Sequence, residues 1–382
     1  MRRRVAFALA LALFFFCPCL GQAETWTDQM QGVLDGLDFS GLDALAQAML
    51  GGETDARALV QSLAEGTAVL DAEALLNRIV HALQSALRSL VGLALQIMVP
   101  AVLCAAAAQM GEAFSSESVS GICRYACFLL VLIPVIAHLA SRAEAIGEAI
   151  RAMSDAMQVI FPMLLSLLAA VGGSVSSAVL QPAVLAASGT MTAIVRDVTL
   201  RLLLCAGAVT AICHLSDRIH LGRLASLLRD AANWTLGVCF TVFIGVMVVQ
   251  GVSSAAVDGV SIRTAKYAID NFVPVVGGMF ADTVDTLVGC SLLVKNALGV
   301  FALLVLLGVL LTPLAQALAS VLVFKVCAAL LEPVADERLV ACVGDLADVL
   351  MALFSALLCV GAMFFLLVAQ VLVVGNMTVM LR

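Results

Sequence analysis

Residues Ser261 to Leu298 read SIRTAKYAIDNFVPVVGGMFADTVDTLVGCSLLVKNAL, a polar-studded stretch between two strongly apolar blocks. It holds Arg263, Lys266, Asp270, Asn271, Asp282, Asp285 and Lys295, together with Pro274 and the pair Gly277-Gly278. Ionisable groups near lipid are costly, so they face a bundle interior or a water-filled space. Proline and paired glycines at membrane depth break helices, and a broken backbone survives only where protein or water covers it. Two readings follow. The stretch is an extracytoplasmic loop carrying an amphipathic helix, or it is a broken, re-entrant segment lining a path or a subunit contact.

The rest of the chain makes the setting a membrane. Apolar residues are 63% of the sequence, charged residues 12%, and the mean hydropathy is +1.10. That composition lies far from an ordinary soluble domain. Several uncharged runs exceed the roughly 20 residues that cross a bilayer. The fold class expected is all-α: a polytopic helical membrane protein with broken or re-entrant helices and a weak internal repeat. A net charge of -7 excludes a basic nucleic-acid surface. The four histidines show no paired spacing. Neither a phosphate-binding G-x-x-x-x-G-K nor H-E-x-x-H nor G-x-S-x-G occurs, so no nucleotide hydrolysis, cofactor, metal or catalytic residue is expected. The cysteines make no secreted disulfide framework; Cys104 and five others sit in or beside apolar blocks, where Cys acts as a small buried hydrophobe.

Residues 1–23 have the form of a signal peptide, with Arg2, Arg3 and Arg4 before the apolar run Val5 to Phe16 and Gly21-Gln22-Ala23 at the cleavage site. Residues 24–85 form an exported amphipathic helical region, and residues 86–382 a multi-spanning helical domain. Spans are expected between Arg88 and Glu112 and over Tyr125 to Ser141. Next comes a charged helical segment, Arg142 to Asp155, in which Glu144, Glu148 and Arg151 share a face. The run 156–195 has 40 residues without a charge, about twice one crossing. Pro162, Gly172-Gly173 and Gln181-Pro182 interrupt it, which favours two half-helices turning back at the glycines, as in broken transporter helices. Thr199 to Cys213 is a short span. The loop His214 to Asp230, with Arg218, Arg223 and Arg229, is the most basic internal loop and is assigned to the cytoplasm. Crossings follow at Ala231 to Val257, Asn296 to Phe324 (interrupted at Pro313) and Val349 to Leu381. The C-terminus is expected on the cytoplasmic side, with Pro313 as either a turn or a kink.

Met157 to Leu164 (MQVIFPML) and Ile269 to Val276 (IDNFVPVV) align their prolines at an offset of 112 residues, a weak repeat whose glycine pairs fall out of register. The candidate helix-break residues are therefore Pro162, Gly172, Gly173, Pro274, Gly277 and Gly278. The candidate path or assembly residues are Asp270, Asn271, Asp282, Asp285 and Lys295.

Two segments carry a resemblance: AKYAIDNFVPVVGGMFADTVDTLVG (Ala265 to Gly289) and FPMLLSLLAAVGG (Phe161 to Gly173). From about Leu83 to the C-terminus the chain resembles the stage III sporulation protein AE family of endospore-forming bacteria. The resemblance implies a multi-pass protein of the mother-cell membrane around the forespore, itself non-catalytic. It implies partners from the same operon, including a separate cytoplasmic ATPase and exported ring-forming proteins, in a secretion or feeding channel joining the two cells. It implies no catalytic residues. Two other functions remain open: a stand-alone secondary transporter with a midplane site, and a purely structural membrane anchor for the complex. The chain is expected to contact the lipid bilayer and to be oligomeric or hetero-oligomeric.

Overall fold

The computed structural model describes residues 30–36, 39, 41–43, 45, 55–66, 72–113, 117–215, 221–272 and 277–380. Every regular element among them is helical, which makes the chain an all-α polytopic membrane protein. The elements are α1 (Ala56–Ala64), α2 (Ala72–Ala113), α3 (Glu117–Ala170), α4 (Ser174–Ile194), a π turn (Val195–Thr199), α5 (Leu200–Leu215), α6 (Gly222–Phe272), α7 (Gly277–Leu331) and α8 (Glu337–Met380). The signal segment lies outside the described residues, and α2 runs without a break across residue 85.

The helices are long because little in the sequence stops them. Leu, Ala and Val dominate, and a buried apolar face holds each helix against its neighbours. Prolines at 100, 134, 162, 182 and 313 lie inside helices. Neighbouring helices re-satisfy the backbone groups that a proline frees, so such positions are tolerated in spans. The 54 residues of α3 extend about 80 Å, far beyond a hydrocarbon core of about 30 Å. Among the described residues, six helical stretches are long and apolar enough to cross: Leu76–Ala106, Tyr125–Ala170, Ser174–Leu215, Gly222–Gly251, Thr286–Leu331 and Glu337–Met377.

What ends α3 is glycine chemistry. Gly172 has φ +102°, its N–H bonds to Ala169 O at 3.0 Å, and Gly173 N–H bonds to Leu168 O at 2.9 Å. That is the pair of bonds of a Schellman cap, with glycine where a left-handed residue is needed. The chain turns there and α4 runs back alongside α3. It does not stop as a half-helix: α4, the π turn and α5 make one continuous stretch, Ser174–Leu215. The expected charged segment Arg142 to Asp155 likewise lies inside α3, merged with the spans on either side.

Residue pairs fix the register. Helices α7 and α8 form an antiparallel hairpin, with Lys295 bonded to Asn376 near one end and Lys325 to Asp348 at the other. Between these, a Cβ on Gly299 would meet Leu372 and one on Gly361 would meet Leu310. Helix α6 runs parallel to α8, since Arg229 reaches Asp348 and Gln370 donates to Met247 O. Helix α3 runs antiparallel to α7 through His138–Ser320 and Arg142–Gln316, and α5 packs on α3 and α8 where Gly207 meets Leu139, Leu346 and Val349. Buried Phe161, Phe243, Phe301 and Phe324 fill the core between these faces.

Two expectations are overturned. Helix α7 passes through Pro313, so the C-terminal end of α8 lies opposite the ends of α5 and α6 that flank residues 216–221 instead of beside them. Cys104 is not a lone buried hydrophobe: it is bonded to Cys127, with Cα atoms 5.7 Å apart, tying α2 to α3 at the 216–221 end. The region before α2 packs at the other end, where Gly41 backs onto Val159 and α1 lies against α7.

Candidate functional site

Polar side chains enter the apolar bundle at several stations among the described residues, of which three join helices far apart in sequence. The first lies between α7 and α8. Lys295 is fully buried, and its ammonium donates to Leu372 O at 3.1 Å and Asn376 Oδ1 at 3.4 Å. Gly375 makes the space, since a Cβ there would collide with the Lys295 Nζ. No carboxylate pairs with Lys295 among the described residues. A cation held by neutral oxygens inside a bundle keeps unspent attraction for an anion or a polar substrate group.

The second station joins α6 to the start of α4. Asp258 is 1% exposed, and its two carboxylate oxygens accept from Val175 N–H at 2.9 Å and Ser176 N–H at 2.8 Å. The first N–H groups of a helix lack intrahelical partners and carry the positive end of its dipole, so a buried carboxylate is well placed there. The Gly172 turn aims those donors at α6.

The third station is midway along α3. His138 and Arg142 stand four residues apart and meet Ser320 and Gln316, four apart on α7, at 3.0 and 2.7 Å. On the neighbouring face the π turn carries Arg196 and Asp197, paired at 3.0 Å, with Arg201 3.5 Å from the same carboxylate. A π turn shifts side-chain positions by a fraction of a turn and recurs at functional sites. At the 216–221 end a further ion cluster links His214 to Asp345 at 3.5 Å, and Lys325 and Arg229 to Asp348 at 2.6 and 3.8 Å.

Of the residues expected from sequence, Lys295 is the one whose side chain the structure places in a site. Asp270 and Asn271 lie in the last turn of α6 and Asp282 and Asp285 in the first turns of α7, with side chains outside the described residues. Pro274 falls outside the described residues; Gly277 and Gly278 open α7. Gly172 and Gly173 form the turn between α3 and α4, whereas Pro162 stays within α3. Sequence reasoning missed Asp258, and it missed the meeting of His138 and Arg142 with Gln316 and Ser320. The matched i, i+4 spacing on two helices was the available signal. Groups of His, Cys, Asp and Glu able to hold a metal ion do not occur among the described residues.

Known proteins bear on this arrangement. The family model for stage III sporulation protein AE matches residues 54–375. A protein named Stage III sporulation protein AE from Bacillus subtilis (strain 168) is 30% identical over 281 residues, covering 74% of this chain and 70% of that protein. No solved structure matches.

Proposed function

The chain belongs to the stage III sporulation protein AE family, and from that premise we propose that it is a non-catalytic membrane subunit of a channel or secretion complex between mother cell and forespore. Its place would be the mother-cell membrane facing the forespore, with energy supplied by a separate cytoplasmic ATPase and with exported ring-forming proteins as partners. The family match is what supports an assembly subunit, and the bundle offers two open surfaces that a partner could use. One groove, of about 410 Å³, lies between α6 and α8 and is lined by Phe243, Met247, Leu366 and Val373. Another, of about 660 Å³, lies along the α2–α3 hairpin beside Leu95, Val99, Leu103 and Leu130. Both are open and apolar, suited to lipid or to a partner's helix. A stand-alone transporter instead needs a polar midplane cavity formed by broken helices.

The test is purification from sporulating cells. An assembly subunit co-purifies with the ATPase and the exported proteins and moves no solute when reconstituted alone. Solute uptake by the isolated protein in liposomes would overturn the proposal in favour of a transporter. Retention of the complex with loss of forespore development in Lys295 variants would separate a working subunit from a mere anchor.

A further inference from the structure

Helix α3 carries Glu144, Glu148, Arg151 and Asp155 on one outward row, all exposed, halfway along a 46-residue apolar stretch. None of the four has an ion pair or side-chain hydrogen bond among the described residues. Ser141, Gln158 and Ser166 extend the same exposed row. Beside it, α5 and the π turn present Asp197, Arg201, Cys205, Ala208 and Ile212 outward, with the Arg201 side chain 74% exposed. The spacing of three and four puts each set on a single helix face. Both faces look to the same side of the α3–α5 pair. Charged rows do not face hydrocarbon, and α3 is far longer than one crossing needs, so this flank lies against water, headgroups or protein.

The register identifies what fits. A Cβ on Gly147 would lie 3.7 Å from Leu200 Cδ1 and 3.9 Å from Arg196 Cγ, and one on Gly207 would touch Leu139. The two helices therefore run antiparallel in step, which sets Arg201 level with the gap between Glu144 and Glu148, and Cys205 level with Ser141. A two-fold axis parallel to the helices carries α3 of one copy opposite α5 of the other without changing level. Arg201 of each copy then meets Glu144 and Glu148 of its mate. The pairing gives Arg201 opposite charge at matching height in the mate and brings Arg151 close to the level of the mate's Asp197, the reciprocal match an isologous contact requires; Asp155 finds no cation opposite it. We propose that two copies of this chain pair across the α3–α5 flank about such an axis, covering the charged row with each other. This rests on the reading of the chain as an assembly subunit but is tested apart from it, because dimerisation is measured without any other member of the complex.

Two differently tagged full-length copies are expressed together and extracted in mild detergent. The wild-type copies co-purify. Arg201→Glu in both reduces recovery at least tenfold, and adding Glu144→Arg with Glu148→Arg restores it. In membranes, Ser141→Cys forms an oxidant-dependent covalent dimer through native Cys205, and Cys205→Ala abolishes that band. Wild-type copies that fail to co-purify overturn the proposal. So does a tagged pair that stays together equally well with and without Arg201→Glu while Ser141→Cys gives no cross-link, since the contact then lies on another face.

Discussion

The Asp258 carboxylate of α6 bonds the backbone N–H groups of both Val175 and Ser176, so the first turn of α4 is capped by a residue more than eighty positions later in the chain. The contact ties the Gly172 turn to the length of α6 that carries on toward the 261–298 stretch. A cap is usually supplied by the residue just before the helix, but Gly173 holds that position and has no side chain to offer. The distant carboxylate replaces it.

Asp258→Ala therefore removes two charge-assisted hydrogen bonds in a buried place. The expected loss is about 0.5–2 kcal/mol, the range for a deleted cap. Hydrogen exchange in detergent should report it locally, with faster exchange at the amides of 175 and 176 and little change at the α7–α8 hairpin. Unchanged protection at both amides would show that the cap contributes nothing to holding α4.

Gly375 and Lys295 should behave as a coupled pair. Gly375→Ala places a methyl group on the Lys295 ammonium, and overpacking of that kind costs about 1–3 kcal/mol. Lys295→Ala clears the space. In the double variant the glycine substitution should then cost far less than it does alone, a coupling that thermal unfolding in detergent measures directly. Additive losses would mean that the lysine moves aside freely. Function separates from stability here: Lys295→Met, apolar and of similar length, should keep the fold while abolishing whatever work the buried charge does in sporulation.

Gly172 gives a third prediction. Its φ of +102° is a conformation that L side chains rarely adopt, so Gly172→Ala should cost about 1–2 kcal/mol through the left-handed penalty. Gly189, which has open space where a Cβ would go, should accept alanine with little or no loss. Comparison of the two melting temperatures checks this, and equal tolerance would remove the turn's special status.

Length and hydropathy made the class of fold legible, because an uncharged run longer than a bilayer is thick has few other uses. The Gly172-Gly173 turn was legible for the same kind of reason: paired glycines are an available end for a helix that nothing else stops. Continuity was not legible. Arg142 to Asp155 resembles a connecting segment in sequence, yet it stays inside α3 because α7 and α5 pack along it. Pro313 carries no local mark that distinguishes a kink from a turn, and packing against α8 decides it. Tertiary partners also decide the sites. His138 and Arg142 are two polar residues on one helix until Gln316 and Ser320, some 180 positions away, are brought opposite. Lys295 was singled out for its charge, but its neutral partners Leu372 O and Asn376 could not be read from spacing.

The orientation of the bundle can be read from chemistry at its two ends. The facing ends of α5 and α6, the turn between α7 and α8, and the Cys104–Cys127 pair share one end; the Gly172 turn and Met380 share the other. Basic loops stay in the cytoplasm, and cytoplasmic thiols are kept reduced. With Arg218, Arg223 and Arg229 inside, a single cysteine placed at 222 or at 334 should react only with a permeant reagent, and one at 380 with an impermeant reagent added to whole cells. Cys104 and Cys127 should then alkylate separately when thiols are trapped before lysis, and join when isolated membranes are oxidised. Labelling of 222 and 380 from the same side would break the six-helix alternation itself. A Cys104–Cys127 bond already present in cells, with 222 labelled from outside, would keep the alternation and invert the protein in the membrane.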